Sequence, residues 1–292
     1  MKRIGIIGCE NSHAEHFARI INLSRTSTGD RLYPDMEVVA VFGPEIESAR
    51  AVQAAGDVET IVDSAEDFIG LVDAMMITNR SGSLHADYAK PFIEAGIPLF
   101  IDKPVTANWE EARELVRFAE EKGVPIAGGS GCKYAWDVKL LKHKTEAWNK
   151  DGELLSASMN FAADRDSIYD GFYFYGPHLT EMALTVFGFN PKSVQAYENE
   201  GGVLAVLRYD AYDISLHYSK NSRISSCTLY GQNDNEYRRI DISMIYQHEV
   251  DYFVEMLRTG NMPQTYTELI AHVGVISAIN ESLDSGKAVE LF

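Results

Sequence analysis

The chain has 292 residues, with 26 lysines and arginines against 43 aspartates and glutamates, so its formal charge is −17. A surface this acidic repels phosphate backbones and anionic headgroups, which argues against nucleic-acid and membrane partners. Its 46% hydrophobic content supports a buried core, and no run reaches the roughly 18 apolar residues of a membrane helix.

In chain order, short apolar runs alternate with amphipathic segments over the first 125 residues. Residues 3–8 predict a strand and Ser12 to Leu23 a helix, with Ala14, Phe17, Ala18 and Ile21 on one face. Residues 37–42 predict the next strand, followed by a helix from Ile46 to Ala55 with Gly56 as its C-cap. Ser64 starts a short helix. Residues 73–78 predict a strand, Leu84 to Ala95 a helix, 97–101 a strand, Trp109 to Lys122 a helix capped by Thr106, and 124–128 a strand. This order predicts a doubly wound parallel-sheet domain over 1–126.

From Leu154 the pattern changes. Tyr212, Ile214, Leu216 and Tyr218 alternate with polar residues, as on a strand with two unlike faces. Further strands are expected at 154–161, 193–198, 203–209 and 225–230, and helices at 177–187, 247–258 and 267–285. Residues 127–292 are therefore expected to form an α+β domain on a mostly antiparallel open sheet. A sheet face carrying several tyrosines is the candidate interface of a homodimer or homotetramer.

Gly8, between a strand and a helix start, marks where a dinucleotide pyrophosphate would rest on backbone amides. That places Gly8, Glu10, Asn11, Ser12 and His13 at a cofactor. The fingerprint Gly-x-Gly-x-x-Gly is incomplete, because Glu10 and His13 replace its second and third glycines. Glu10 must turn away if phosphate binds. The second strand ends at Gly43, where an acid for the ribose is usual, so NAD and NADP both stay open. Asp102-Lys103-Pro104 follows a strand at the edge where open sheets bind ligands, and a lysine there can donate to a substrate oxygen. By themselves these residues also suit a surface loop. His178 has the titration range of an acid/base, and equally suits a capping or core-edge position. With Glu181 it lacks a third ligand for a metal, so none is expected. Three widely spaced cysteines, Cys9, Cys132 and Cys227, suggest no disulfide framework. Glu10 and Asn11 cut the apolar start short of a signal peptide, so a cytoplasmic setting is expected.

The opening KRIGIIG, the long segment from DAMMITNRSGSLHADYAK to FIDKPVTANWEEARELVRFAEEKGVPI, GFYFYGPHLTEMALTVFG, and HEVDYFVEMLRTGNMPQTYTELIAHVGVISAINESLDSGKAVEL together resemble the glucose-fructose oxidoreductase/inositol dehydrogenase/MocA family. The resemblance implies an NAD(P)-dependent oxidoreductase of a sugar, polyol or related hydroxylated molecule. It assigns Lys103 to the family's Glu-Lys-Pro lysine, with Asp102 for the glutamate, and His178 to the histidine of Asp-x-Gly-x-His. Phe174 stands where that motif has its aspartate, and Glu181 occupies the place of another family acid. It further implies that Thr78, Asn79 and His85 contact cofactor or substrate, and that Lys133, Tyr175 and Glu181 contact substrate. A non-catalytic relative, serving as sensor or assembly subunit, is the alternative that the replaced positions Glu10, His13, Gly43 and Phe174 favour.

Overall fold

The computed structural model describes residues 1–291, which fall into two compact units. The first comprises Met1–Gly129 and Tyr246–Leu269, and the second Ser130–Ile245 and the residues from Ile270 onward. The expected boundary after residue 126 would cut the last strand of the first sheet, and the segment 246–269 returns to that unit.

In the first unit the elements are β1 (Lys2–Ile7), α1 (Ser12–Leu23), β2 (Met36–Phe42), α2 (Ile46–Gly56), β3 (Thr60–Ile61), β4 (Ala74–Ile77), α3 (His85–Glu94), β5 (Leu99–Asp102), α4 (Trp109–Lys122) and β6 (Ile126–Gly129). The sheet has the order β3-β2-β1-β4-β5-β6, and every pair is parallel. The strand order reverses between β1 and β4, so the carboxyl ends of β1, β4 and β5 frame the crevice where such sheets bind ligands. β4 and β5 are buried at every residue, as strands covered on both faces must be.

Two caps differ from expectation for local steric reasons. A Cβ at Gly56 would come within 2.5 Å of the Ala18 side chain. Gly56 therefore serves the α1–α2 approach as the last helical residue, and Asp57 takes the left-handed cap at φ 51°. At α4 the cap is Asn108, whose side chain accepts the Glu111 N–H at 3.0 Å, while Thr106 donates to the Asn108 carbonyl.

The second unit contains α5 (Trp136–Lys150), β7 (Leu154–Ala162), α6 (Gly176–Phe187), β8 (Ser193–Asn199), β9 (Gly202–Arg208), β10 (Asp213–Ser219), β11 (Ser226–Gly231), β12 (Asn235–Arg239) and β13 (Val289–Glu290). α7 (Ile245–Thr259) lies almost wholly in the first unit, where Val250 and Phe253 join the core around Phe17 and Phe100. α8 (Tyr266–Ser285) carries the chain from the first unit into the second. The sheet order is β12-β11-β7-β10-β9-β8-β13. It is antiparallel except at its centre, where β10 and β7 run parallel. Ile214, Leu216 and Tyr218 face the core with Leu179 and Ala183 of α6. Tyr212 and Tyr218 are thus committed to the core, the latter through a 2.8 Å bond between its hydroxyl and Thr180. The tyrosines left exposed on this sheet are Tyr197, Tyr230 and Tyr237. Among the described residues no helix is long and apolar enough to cross a membrane.

Candidate active site

Two polar centres, one in each unit, carry the residues singled out by sequence. In the first unit, Gly8 has a φ of 101°, and a Cβ there would lie 2.3 Å from the Asn79 amide nitrogen. Only glycine lets the β1–α1 turn lie against the end of β4. Asn11 caps α1 by accepting the His13 N–H at 3.3 Å, and its Nδ2 donates to the Thr78 carbonyl at 2.9 Å and to Asp102 Oδ2 at 3.2 Å. Asn11 is buried and ties three elements together. Thr78, also buried, donates through Oγ1 to the Ile7 carbonyl at 2.8 Å.

Glu10 does turn back. Its Oε1 accepts from Asn79 Nδ2 and from the Arg80 N–H, both at 3.2 Å, while Arg80 Nη2 donates to the Glu10 carbonyl at 2.6 Å. Oε2 is buried with no hydrogen-bond partner among the described residues. These residues fit a dinucleotide through the close turn at Gly8, the first-turn amides of α1 not used by its cap, the exposed Ser12, and the cation of Arg80. Arg80 had no sequence signal, since its role depends on which loop β4 brings beside Gly8. Gly43 offers no acid because a Cβ would lie 2.8 Å from both Cys9 Cβ and Ser48 Oγ. The Cys9 thiol is pushed up to about 12 by burial and by the nearby Glu10 charge, and stays neutral.

Asp102 closes β5 with its side chain fully buried. Oδ1 accepts the Lys103 N–H at 2.7 Å, and Oδ2 lies 2.6 Å from His13 Nδ1. Burial alone would raise this carboxyl, but the adjacent His13, its bond and the Lys103 ammonium outweigh that and hold it below the ordinary carboxylate range. His13 also packs edge-on against Phe17 and Tyr246, and His16 stacks on Tyr246 with 4.5 Å between centroids. Lys103 is itself 4% exposed. His85 is fully buried, with Nδ1 2.7 Å from the Pro104 carbonyl and Nε2 2.8 Å from the Asn79 carbonyl. It bridges the loops after β4 and β5, so its place is behind any ligand contact. Burial pushes its imidazolium down, and the two carbonyls and Asp102 offset only part of that.

In the second unit, Pro177 follows Gly176 at the start of α6, and a proline in a first helical turn forfeits no bond. His178 is thereby held in the first turn. Its Nδ1 lies 2.7 Å from Ser130 Oγ and 3.5 Å from Cys132 Sγ. Ser130 Oγ accepts the Cys132 N–H at 3.2 Å and still has its own proton to turn toward or away from Nδ1. Glu181, one turn along α6, accepts Ser130 N–H at 2.7 Å and Lys133 Nζ at 2.7 Å, and lies 3.5 Å from His272 Nδ1. Lys133 and Glu181 are 2% and 4% exposed on their side chains. Both were expected at substrate, yet here they join each other and anchor the loop that carries Ser130. Phe174, in the place of the family aspartate, packs between the rings of Tyr169 and Tyr175 at 5.0 and 4.9 Å. Tyr175 is 42% exposed, with its ring 5.2 Å from that of His178. Ser130 and His272 were not read from the sequence; a serine 48 residues before His178 is visible only when β6 has delivered it.

Residues 2–129 match the model of the Gfo/Idh/MocA oxidoreductases, described as an oxidoreductase family with an NAD-binding Rossmann fold. Residues 2–129 thus carry the Rossmann domain of this family. It is 27% identical over 268 residues to the scyllo-inositol 2-dehydrogenase (NADP(+)) IolW of Bacillus subtilis, covering 84% of this chain and 65% of that protein. Over 124 residues it is 33% identical to inositol 2-dehydrogenase 3 of Saccharopolyspora erythraea, covering 41% of this chain and 33% of the relative. The chain thus spans less than two thirds of the length of the curated relatives it matches. The scyllo-inositol dehydrogenase of Lactobacillus casei, solved with NAD(H) and scyllo-inositol, superposes with a TM-score of 0.83 at 13% identity over 99% of both chains. That likeness speaks for the fold. Among the described residues no group of three or more His, Cys, Asp or Glu side chains is placed to hold a metal ion.

Proposed function

We propose that the whole chain is a member of that family and an NAD(P)-dependent oxidoreductase that interconverts an alcohol and a carbonyl on a sugar, polyol or related hydroxylated molecule. The observation that carries the reading is the end of β5, where Asp102 binds the backbone of Lys103 at the carboxyl edge of a doubly wound sheet. Gly8, Ser12 and Arg80 hold the dinucleotide, with Asn11, Thr78, Asn79, His85 and Asp102 shaping its crevice from behind. When bound, the nicotinamide supplies the hydride acceptor or donor. Lys103 donates to the reacting oxygen and stabilises the negative charge that develops there. His178 is the acid/base: with Nδ1–H donating to Ser130 Oγ, Nε2 is the nitrogen that takes a proton from a substrate hydroxyl and returns it.

The same proposal includes a homodimer or homotetramer formed through the uncovered face of the second sheet, where Tyr197, Tyr230 and Tyr237 are 58%, 40% and 63% exposed. It also places the chain in the cytoplasm, where its three buried thiols stay reduced. Light scattering tests the assembly: a mass of 32.6 kDa would refute it.

One observation favours the sensor reading. The carboxylate of Glu10 lies at the second fingerprint position with one oxygen buried and without a hydrogen bond among the described residues, and at an effective dielectric near 20 a phosphate about 5 Å away would cost about 3 kcal/mol. Calorimetric titration with NAD(H) and NADP(H) separates the two. Binding of either pair at micromolar concentration supports the enzyme, and no binding at millimolar concentration supports the sensor.

A further inference from the structure

We propose that the cavity beside His178 receives the anionic end of the substrate, with Arg223 and Arg239 supplying the countercharge. This rests on the oxidoreductase reading and narrows its substrate to hydroxylated carbon chains that bear a carboxylate or a phosphate.

The cavity lies within the second unit and measures about 520 Å³, in the size range of small-ligand sites. Its wall includes Phe161 from the end of β7, Tyr175 before α6, Arg223 and Ser225 from the β10–β11 connection, and Arg239 and Asp241 from the end of β12 onward. The rings of Phe161 and Tyr175 each stand 5.2 Å from the His178 imidazole. The cavity therefore borders the group assigned to proton transfer.

Charge decides what it holds. In a chain of net charge −17, two guanidinium groups meet one carboxylate on this wall. Asp241 already accepts the Ser243 N–H at 2.9 Å. Neighbouring Arg238 is paired with Asp137 and Glu236 at 3.3 and 3.1 Å, and Arg165 and Arg258 likewise have carboxylate partners. Among the described residues neither Arg223 nor Arg239 comes within 4.0 Å of a carboxylate, though the charge of Arg239 helps to hold the Asp241 carboxyl down. With acids this abundant, two guanidinium groups converging on one cavity that holds a single carboxylate point to an external anion. Guanidinium forks match carboxylate and phosphate oxygens equally well. Ser225 Oγ adds a buried hydroxyl, 8% exposed as a residue, that has no hydrogen-bond partner among the described residues. A substrate hydroxyl would satisfy it. Lys133, also expected at substrate, pairs with Glu181 and does not line this cavity, whose cations are the two arginines.

The test measures binding of glucuronate, gluconate, glucose 6-phosphate, glucose and myo-inositol by calorimetry, and turnover of each with NAD(P)+. Wild type and the R223Q/R239Q double variant are compared, with circular dichroism confirming that both fold. At least one carboxylate or phosphate ligand is expected to bind at least about tenfold more tightly than the neutral ligands, and the double variant is expected to lose that preference. Which of the two classes wins identifies the anion. Equal binding of neutral and anionic ligands by wild type, or a preference that survives in R223Q/R239Q, overturns the proposal. Anion binding that depends on the arginines without turnover of any ligand supports the cavity assignment and overturns the oxidoreductase reading instead.

Discussion

Each unit buries one carboxylate beside a lysine, and the two treat that lysine differently. Asp102 takes the backbone N–H of Lys103, with Asn11 and His13 completing its shell. Glu181 takes the ammonium of Lys133 itself, at 2.7 Å, with the Ser130 amide and His272 around it. The first arrangement fixes a lysine's backbone, and the proposed function gives its charge to chemistry. The second spends the charge on holding a loop in place. Sequence similarity alone ranked both lysines as site residues, and the buried partner is what separates them.

The largest effect that would break this contrast is on turnover. Lys103→Ala is expected to lower the rate by at least about 100-fold while denaturant unfolding shows a change within about 1 kcal/mol. A loss of stability with little loss of rate would mean that Lys103 is structural too. Lys133→Met reverses the pattern. It leaves the Glu181 charge buried and is expected to cost about 3–5 kcal/mol, whereas Lys133→Met with Glu181→Leu recovers most of that cost. A double variant no more stable than the single one would remove the ion pair from the account.

Smaller effects sharpen the comparison. His13→Ala strips Asp102 of the imidazole 2.6 Å from its Oδ2 and is expected to cost about 2 kcal/mol near neutral pH. Because Asp102 is held below its unfolded value, the native state binds fewer protons there, so its contribution fades as pH falls through the acidic range below about 4. Thermal unfolding of wild type and variant should therefore converge in acid. His85 has a folded pKa below the unfolded value of about 6.5, so its burial favours the fold above that pH and loses its advantage as pH falls below it. The stability gap between wild type and His85→Gln should narrow from pH 8 to pH 5, and a gap that widens would mean the two carbonyls keep His85 charged. Removing the α4 cap with Asn108→Ala should cost about 1 kcal/mol without altering any kinetic constant.

Most of the first unit was legible because its parallel strands are buried on both faces and read as unbroken apolar runs, such as Ala74–Ile77. The α4 bounds, Trp109–Lys122, were readable from the apolar periodicity. β12 was missed because Asn235–Arg239 is polar and half-exposed at a sheet edge, with no apolar alternation to find. The parallel pairing of β10 with β7 was also invisible, since alternation gives a strand's faces and not its neighbour. Of the site, Gly8, Asp102, Lys103 and His178 stood out because local chemistry marks them. Arg80, Ser130 and His272 did not, because their roles come from distant chain crossings. That Glu181 and Lys133 pair with each other was not readable, since reading one residue at a time cannot show that two charges have found each other.

The most direct test is the nicotinamide absorbance of wild type, Lys103→Ala and His178→Ala, each mixed with NAD(P)+ and the substrate panel above. The account predicts cofactor reduction by wild type and a fall of at least about 100-fold in both variants, with their folds intact. Reduction at the wild-type rate by either variant, or by none of the three proteins with any substrate, would contradict it.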